Sequence, residues 1–278
     1  MNTPVSLTAP RTAALPLVID SPHSGTDYPA DFGARLAGRE LRSGEDTWVD
    51  RLYESAPDHG ATLLAANFPR AYIDPNRSLH DIDQALLDAP WPGPVSPGPK
   101  TELGIGLVWR LMAGGPIYDR RLTVNEVQGR IERCWRPYHE ALEAALADAA
   151  RRWPRRWHLN VHSMPDDAYV RLGLPDKGLA DVVLGNLDGR TSDAATMDVI
   201  ARAFEACGYR VAHNDPFKGV EIIRGSGRPE LGQHAVQIEV KRSLYMDDQL
   251  QPNAGFARLQ TACDTMLAAL AAHIRSQL

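Results

Sequence analysis

Two histidines at the ends of strand-like runs are the residues of this chain whose types and placement most clearly suggest chemistry. His23 follows the apolar run at residues 15–20, and His162 follows the run at residues 157–161. In α/β sheets, ligands bind at the carboxyl ends of strands. Two histidines and one carboxylate leave a fourth position open, which is the ligand set of a hydrolytic zinc site. The sequence therefore predicts a catalytic metal centre, with Glu45 and Asp46 as nearby carboxylates.

Glu239 is a further carboxylate, and it lies in the apolar run VQIEV at residues 236–240. Burying an ionised carboxylate among such neighbours costs roughly several kcal/mol of folding free energy unless it is paired or faces a metal, because an isolated buried charge is poorly solvated. We expect Glu239 to act as a general base on water at the metal. The alternative is a structural ion pair with Lys241 or Arg242.

Strands and helices must position these side chains. Strand-like runs alternate with helical stretches, which predicts a mostly parallel, three-layer α/β sheet, and we expect one domain over residues 1–278. A helix is predicted between Ser43 and Gly60, and Thr123 with Glu126 forms a capping-box pattern. A Pro/Gly-rich stretch at residues 88–106 is typical of a functional loop. The predicted strands are 15–20, 62–66, 70–74, 157–161, 181–184, 209–212 and 236–240.

Composition narrows the function classes. The net charge of −5, from 30 basic and 35 acidic residues, argues against a general affinity for nucleic acid or anionic membranes. The three cysteines are far apart in the 278-residue chain, so we expect no disulfide framework and a reducing, cytoplasmic location. The amino-terminal region has no basic segment leading into a long apolar core, so we expect neither a signal peptide nor a membrane span.

Five ordered motifs resemble the N-formylglutamate amidohydrolase (deformylase) family. They are VIDSPHSG, EDTWVDRLY, RAYIDPNRS, LNVHSMPD and HAVQIEVKRSLYMDD, and the similarity extends from about residue 16 to residue 248. The resemblance implies the fold of zinc carboxypeptidases and aspartoacylase, which is a three-layer α/β/α arrangement with a mixed, mainly parallel sheet. It also implies one catalytic Zn²⁺ per chain, held by two histidines and a carboxylate.

The resemblance assigns the carboxylate and the substrate site. The relatives' HxxE motif is broken here, because Thr26 stands three residues after His23. The family pattern then favours Asp46 as the ligand beside His23 and His162, with Glu45 and Asp27 as alternatives. Arg70 precedes the Asn76-Arg77 pair with the spacing that binds substrate carboxylates in aspartoacylase-like relatives, so these three residues are implied to bind the anionic amino acid.

The function implied is hydrolysis of N-formyl-L-glutamate to L-glutamate and formate, in histidine degradation, with Glu239 as the base. The partner would be a small anionic N-acyl amino acid. One alternative is a zinc hydrolase of another N-acyl acidic amino acid, of the aspartoacylase or succinylglutamate desuccinylase type. Another is an inactive binding module on the same fold. The sequence leaves open the acyl specificity, the physiological metal, the role of the 88–106 loop and the oligomeric state.

Overall fold

The computed structural model describes residues 3–112 and 115–278. Its strands are β1 (Val5–Thr8), β2 (Leu17–Ser21), β3 (Thr62–Ala66), β4 (Leu111–Met112), β5 (Gly115–Pro116), β6 (Arg156–Met164), β7 (Val182–Gly185), β8 (Val211–His213) and β9 (Gln233–Lys241). Its helices are α1 (Gly38–Arg42), α2 (Val49–Leu52), α3 (Pro99–Glu102), α4 (Val124–Arg130), α5 (Arg136–Arg152), α6 (Ala168–Arg171), α7 (Ala194–Ala206), α8 (Glu221–Ser226) and α9 (Phe256–Gln277).

Seven strands form the main sheet in the order β1-β3-β2-β6-β9-β7-β8, and β4 pairs with β5 separately. The pairs β2–β6, β6–β9 and β7–β8 are parallel, whereas β7 and β9 are antiparallel. Helices lie between most of these strands in the chain. The predicted three-layer α/β class with a mixed, mainly parallel sheet is therefore confirmed.

The central strand β6 has two different faces although all nine of its residues are buried. Side chains alternate between the faces of a strand, so every second residue shares a face. Trp157, Leu159 and Val161 belong to a large apolar cluster with residues of α7 and α9. The alternate residues of the same strand include the polar side chains of His158, Asn160 and His162.

Two compact units can be distinguished among the described residues. The larger unit comprises residues 7–21, 48–64 and 143–278. Its core contains the apolar face of β2, β6 and β9 together with the buried sides of α7 and α9, including Ile19, Ile238, Phe204 and Leu267. The single catalytic domain predicted for residues 1–278 stays a prediction.

The smaller unit comprises residues 22–47 and 65–142 with the segment before residue 7. Its described parts are rich in loops and are organised around the buried side chain of Arg130. The Arg130 guanidinium donates to the Tyr72 carbonyl oxygen at 3.0 Å and to the Tyr118 hydroxyl at 2.7 Å. It also lies 4.2 Å from the centre of the Tyr72 ring. These contacts satisfy a buried cation with oxygen acceptors and aromatic faces.

Several predicted elements need correction. The predicted helix from Ser43 to Gly60 is wrong over most of its length, because Ser43 ends α1 and α2 covers only Val49–Leu52. Trp48 has a φ of 70°, in the left-handed region, so a continuous right-handed helix cannot pass through it. The capping box of Thr123 and Glu126 is confirmed at the start of α4.

The predicted strand at residues 70–74 is also wrong. Residues 70–72 form a turn in which the Tyr72 N–H donates to the Pro69 carbonyl oxygen at 3.0 Å. The loop at residues 88–106 contains α3, and the N–H of Ser96 donates to the His80 carbonyl oxygen at 2.7 Å. None of the helices in the described ranges is long and apolar enough to cross a membrane.

Candidate metal centre and its surroundings

His23 lies two residues after the end of β2 and is buried between two carboxylates of the smaller unit. Its Nδ1 lies 3.3 Å from Asp46 Oδ2, and its Nε2 lies 2.7 Å from Asp74 Oδ1. The N–H of Asp46 donates to the His23 carbonyl oxygen at 3.0 Å, which fixes the two residues together. Gly25 permits this packing, because a Cβ there would collide with the backbone of Asn67 and Phe68.

The sequence pattern does not single out Asp74, which is the last residue of the predicted strand 70–74. Its carboxylate is fully buried and accepts from Arg70 at 2.9 and 3.2 Å and from the Trp109 indole at 3.3 Å. Burial by itself raises the pKa of Asp74, but the charges of Arg70, Arg77 and His23 outweigh burial and hold the pKa well below its ordinary value. Asp74 therefore accepts a hydrogen bond from His23 as an anion.

The predicted substrate residues surround Asp74. The Arg77 side chain is 7% exposed, and its Nη2 lies 3.6 Å from Asp74. The same guanidinium donates to the carbonyl oxygens of Ile105 at 3.1 Å and Asn76 at 2.9 Å. Burial lowers the pKa of Arg77. Arg70 is more accessible, with 14% of its side chain exposed and its Nη1 3.8 Å from Asp46.

Glu45 and Asp27, the alternative carboxylate ligands, have different surroundings from Asp46. Glu45 accepts from the Tyr28 hydroxyl, from Arg42 Nε at 3.1 Å and from the Thr47 hydroxyl at 3.1 Å. Burial raises the pKa of Glu45, although these donors oppose the shift. Asp27 is exposed. Asp46 is 1% exposed and contacts His23 Nδ1.

In the larger unit, His162 and Glu239 are neighbours on adjacent strands. They are register partners between β6 and β9, so they lie at the same level of the sheet. The His162 Nε2 lies 2.6 Å from Asn160 Oδ1. Glu239 is 8% exposed and accepts from the Gln237 side-chain amide at 2.9 Å. Lys241, one of the predicted ion-pair partners of Glu239, lies 3.5 Å from Asp181.

The structure groups His23, Asp46 and His162 as residues that could hold a metal ion. Each offers one ligand atom, these atoms all lie within 4.8 Å of one another, and all three residues are buried. Two imidazole nitrogens and one carboxylate oxygen form a donor set that zinc accepts in hydrolases. The donor chemistry of these residues therefore fits a zinc ion.

Comparisons with known proteins identify the class. The model of the N-formylglutamate amidohydrolase family matches residues 15–246. The N-formylglutamate deformylase of Pseudomonas aeruginosa is 32% identical over 245 residues, which are 84% of this chain and 84% of that protein. The N-formylglutamate deformylase of Pseudomonas putida is 32% identical over 242 residues, covering 84% of this chain and 83% of that protein.

A solved structure extends this similarity. The crystal structure of N-formylglutamate amidohydrolase from Ralstonia eutropha JMP134 is 52% identical and has a TM-score of 0.97, covering 99% of this chain and 100% of that one. The fold and these relatives define a hydrolase that acts on an amide bond. This chain belongs to the N-formylglutamate amidohydrolase family, as its sequence motifs predicted.

Proposed function

We propose that this protein is a zinc-dependent amidohydrolase that cleaves N-formyl-L-glutamate to L-glutamate and formate. The observation that carries the proposal is the buried group of His23, Asp46 and His162 in a member of this family. Relatives that are 32% and 52% identical are named as N-formylglutamate deformylase or amidohydrolase.

His23, Asp46 and His162 would hold one zinc ion per chain. When bound, zinc supplies Lewis acidity that polarises a carbonyl group and makes water a stronger nucleophile near neutral pH. Each histidine has its Nε2 bonded to a second side chain, Asp74 for His23 and Asn160 for His162. Such partners orient a ligating imidazole and raise its affinity for metal, which supports this role for both histidines.

Glu239 would be the general base. Glu239 is the register partner of His162 on the neighbouring strand and is only 8% exposed, so its side chain is closely confined. In the proposed reaction Glu239 takes a proton from the attacking water and then gives it to the departing amine nitrogen. Proton transfer by a positioned side chain contributes about 10²–10⁴-fold to a reaction rate.

Arg70, Asn76 and Arg77 would bind the carboxylates of the substrate. Arg70 and Arg77 place two guanidinium groups beside Asp74, and guanidinium groups are suited to an anionic ligand. A guanidinium can meet a carboxylate with two parallel hydrogen bonds, which fixes the ligand's orientation. Arg70 is the more exposed of the two arginines, so we expect its contact with the substrate to be the more direct.

The cellular setting is proposed from the family alone. We assign the reaction to histidine degradation in the cytoplasm, with a small anionic N-acyl amino acid as the partner and with neither nucleic acid nor membrane as a ligand.

The test is a substrate panel with metal analysis. Protein purified with zinc should contain about one zinc per chain, and it should hydrolyse N-formyl-L-glutamate faster than N-acetyl-L-aspartate or N-succinyl-L-glutamate. His23→Ala and His162→Ala should each weaken zinc binding, since each removes one of three protein ligands. His80→Ala is the matched control, because His80 is exposed in the structure.

The other outcomes separate the alternatives. If N-acetyl-L-aspartate is hydrolysed as fast as the formyl substrate, the chain is a hydrolase of another N-acyl amino acid. If the purified protein holds almost no zinc and added metal restores no activity, the binding-module alternative replaces the proposed one.

A further inference from the structure

A row of buried polar side chains lies beneath His162 on the polar face of the sheet. Asp20 on β2 and Asn160 on β6 are register partners, and each is 0% exposed. His158, two residues before Asn160 on the same strand, is 1% exposed. Buried polar groups of this kind are costly unless they are hydrogen-bonded, so the direction of each bond is informative.

The carboxylate of Asp20 is the fixed point of this row. His158 Nε2 lies 2.7 Å from Asp20 Oδ1, and Asn160 Nδ2 lies 3.0 Å from each of the two carboxylate oxygens. An ionised carboxylate only accepts hydrogen bonds. The NH₂ group of Asn160 must therefore face Asp20, which turns the amide oxygen of Asn160 the other way.

The orientation of Asn160 sets the tautomer of His162. Asn160 Oδ1 lies 2.6 Å from His162 Nε2, and an amide oxygen only accepts. The proton of a neutral His162 must then be on Nε2, so Nδ1 is the nitrogen that carries the lone pair. A neutral imidazole binds a metal through its unprotonated nitrogen, and the partner of the other nitrogen determines which one that is.

We infer that Asp20 is a positioning residue for the metal centre, and that it acts through Asn160 to hold His162 as the Nε2–H tautomer with Nδ1 facing the metal. The inference rests on the proposed function only in taking His162 as a zinc ligand. The tautomer itself is a property of the metal-free protein, so it can be measured whatever the enzyme hydrolyses.

The far end of the row anchors it to α8. His158 Nδ1 lies 2.8 Å from the Ser226 hydroxyl, which in turn lies 3.0 Å from the Ile222 carbonyl oxygen. Ser226, His158 and Asp20 have the order of a nucleophilic triad. Ser226 is only 6% exposed and its hydroxyl is bonded back to its own helix, so we assign the three groups to support rather than to attack.

The sharpest test exchanges the two side chains. In Asp20→Asn the obligate acceptor is gone, and in Asn160→Asp two carboxylates face each other. In the double variant Asp20→Asn with Asn160→Asp, the amide at position 20 donates to the carboxylate at position 160, which again accepts from His162 Nε2. We expect each single variant to lose about 10–100-fold in zinc affinity, and the double variant to recover most of that loss.

Two readouts are needed. Competition with a chelator gives the zinc affinity, and nitrogen-15 NMR of the metal-free protein gives the His162 tautomer. We expect the Nε2–H tautomer of His162 in the wild type and in the double variant, and a mixture of the two tautomers in Asp20→Asn. Asp198→Asn is the matched control, since Asp198 lies on the surface of α7 with 53% of its side chain exposed.

Three results would overturn the inference. The first is a wild-type His162 protonated on Nδ1, which needs no variant and so holds even if the single variants fail to fold. The second is a zinc affinity and tautomer in Asp20→Asn equal to those of the wild type. The third is a double variant that folds but binds zinc no better than the single ones. If Ser226→Ala abolishes activity while zinc affinity and tautomer are unchanged, Ser226 has a chemical role and its separate assignment to support is wrong.

Discussion

The two faces of strands β2, β6 and β9 are both buried, but one is mainly apolar and the other carries a row of polar side chains. On one face lie Leu17, Ile19, Trp157, Leu159, Val161, Val236, Ile238 and Val240, all within one apolar cluster. On the other lie Asp20, His158, Asn160, His162, Gln237 and Glu239, and none of them is more than 8% exposed. The same backbone therefore carries an apolar core and a buried polar surface, separated only by the alternation of side chains.

The two faces contribute to the structure in different ways. Apolar side chains gain free energy from removal from water, and this gain hardly depends on direction. Polar side chains gain little net stability when buried, but their donors and acceptors must match, so they specify orientation. We expect substitutions on the apolar face to change mainly stability, and substitutions on the polar face to change mainly metal binding and catalysis.

The largest effect is expected for Glu239→Gln on the polar face. The amide keeps the size of the side chain but cannot accept the proton, so kcat for N-formyl-L-glutamate should fall about 10²–10⁴-fold. Zinc content and the melting temperature should stay close to the wild-type values. Steady-state kinetics, metal analysis and thermal unfolding measure the three quantities.

Glu230→Gln is the control for this substitution, because Glu230 is exposed in the same unit. Near-normal kcat in Glu239→Gln would make Glu239 a structural residue. Loss of zinc would instead make it a metal ligand in place of Asp46, and Asp46→Asn would then retain zinc.

Leu159→Ala is the corresponding change on the apolar face. Leu159 is 0% exposed and packs in the apolar cluster, so removing its side-chain carbons should lower the free energy of unfolding by about 2–5 kcal/mol. Below its melting transition the variant should bind zinc as tightly as the wild type. Denaturant unfolding and chelator competition measure the two effects, with Ile238→Val as a milder cavity control. A large loss of zinc affinity in folded Leu159→Ala would show that the faces are coupled.

Arg70→Ala should affect substrate binding rather than either face of the sheet. The lost charge-assisted contact is worth about 1.5–3 kcal/mol, so KM for N-formyl-L-glutamate should rise roughly 10–150-fold while zinc content is retained. Arg70→Lys keeps the charge but lacks the planar fork, and it should recover only part of the loss. An unchanged KM in Arg70→Ala would limit Arg70 to its structural contact with Asp74.

The sequence predicted the sheet and the two histidines because both leave local signals. Apolar runs mark strands, and a histidine just after such a run is conspicuous. Asp20 and Asn160 were missed because they lie inside runs that are apolar on average, and only the alternation visible in β6 separates the faces. Asp74 was missed because the alternating segment RAYID predicts a strand. The structure has a turn there instead, and the turn brings Arg70 to the Asp74 carboxylate.

The capping box of α4 shows the opposite case, because the sequence predicts the pairing of Thr123 with Glu126 from residues that are close together in the chain. Glu126 accepts from the Thr123 N–H at 2.8 Å and pairs with Arg120, and the hydrogen bond from Arg120 is the main reason that its pKa is lowered to about 2. A lowered pKa in the folded state means that the contribution to stability is present above the unfolded pKa of about 4.3 and is lost as pH falls towards 2.

Of the contacts that these substitutions test, the exposed pair of Arg120 and Glu126 should contribute least to the free energy of unfolding. Their side chains are 44% and 32% exposed, so solvent screens their attraction. Glu126→Gln should therefore be at most about 1 kcal/mol less stable than the wild type at pH 7, and the difference should shrink as pH falls from about 4.3 towards 2. Denaturant unfolding of both proteins across this pH range measures it. The expectation would be wrong if Glu126→Gln lost as much free energy of unfolding as Leu159→Ala, or if its loss did not change with pH. Burial would then not be what separates strong from weak carboxylate contacts in this protein.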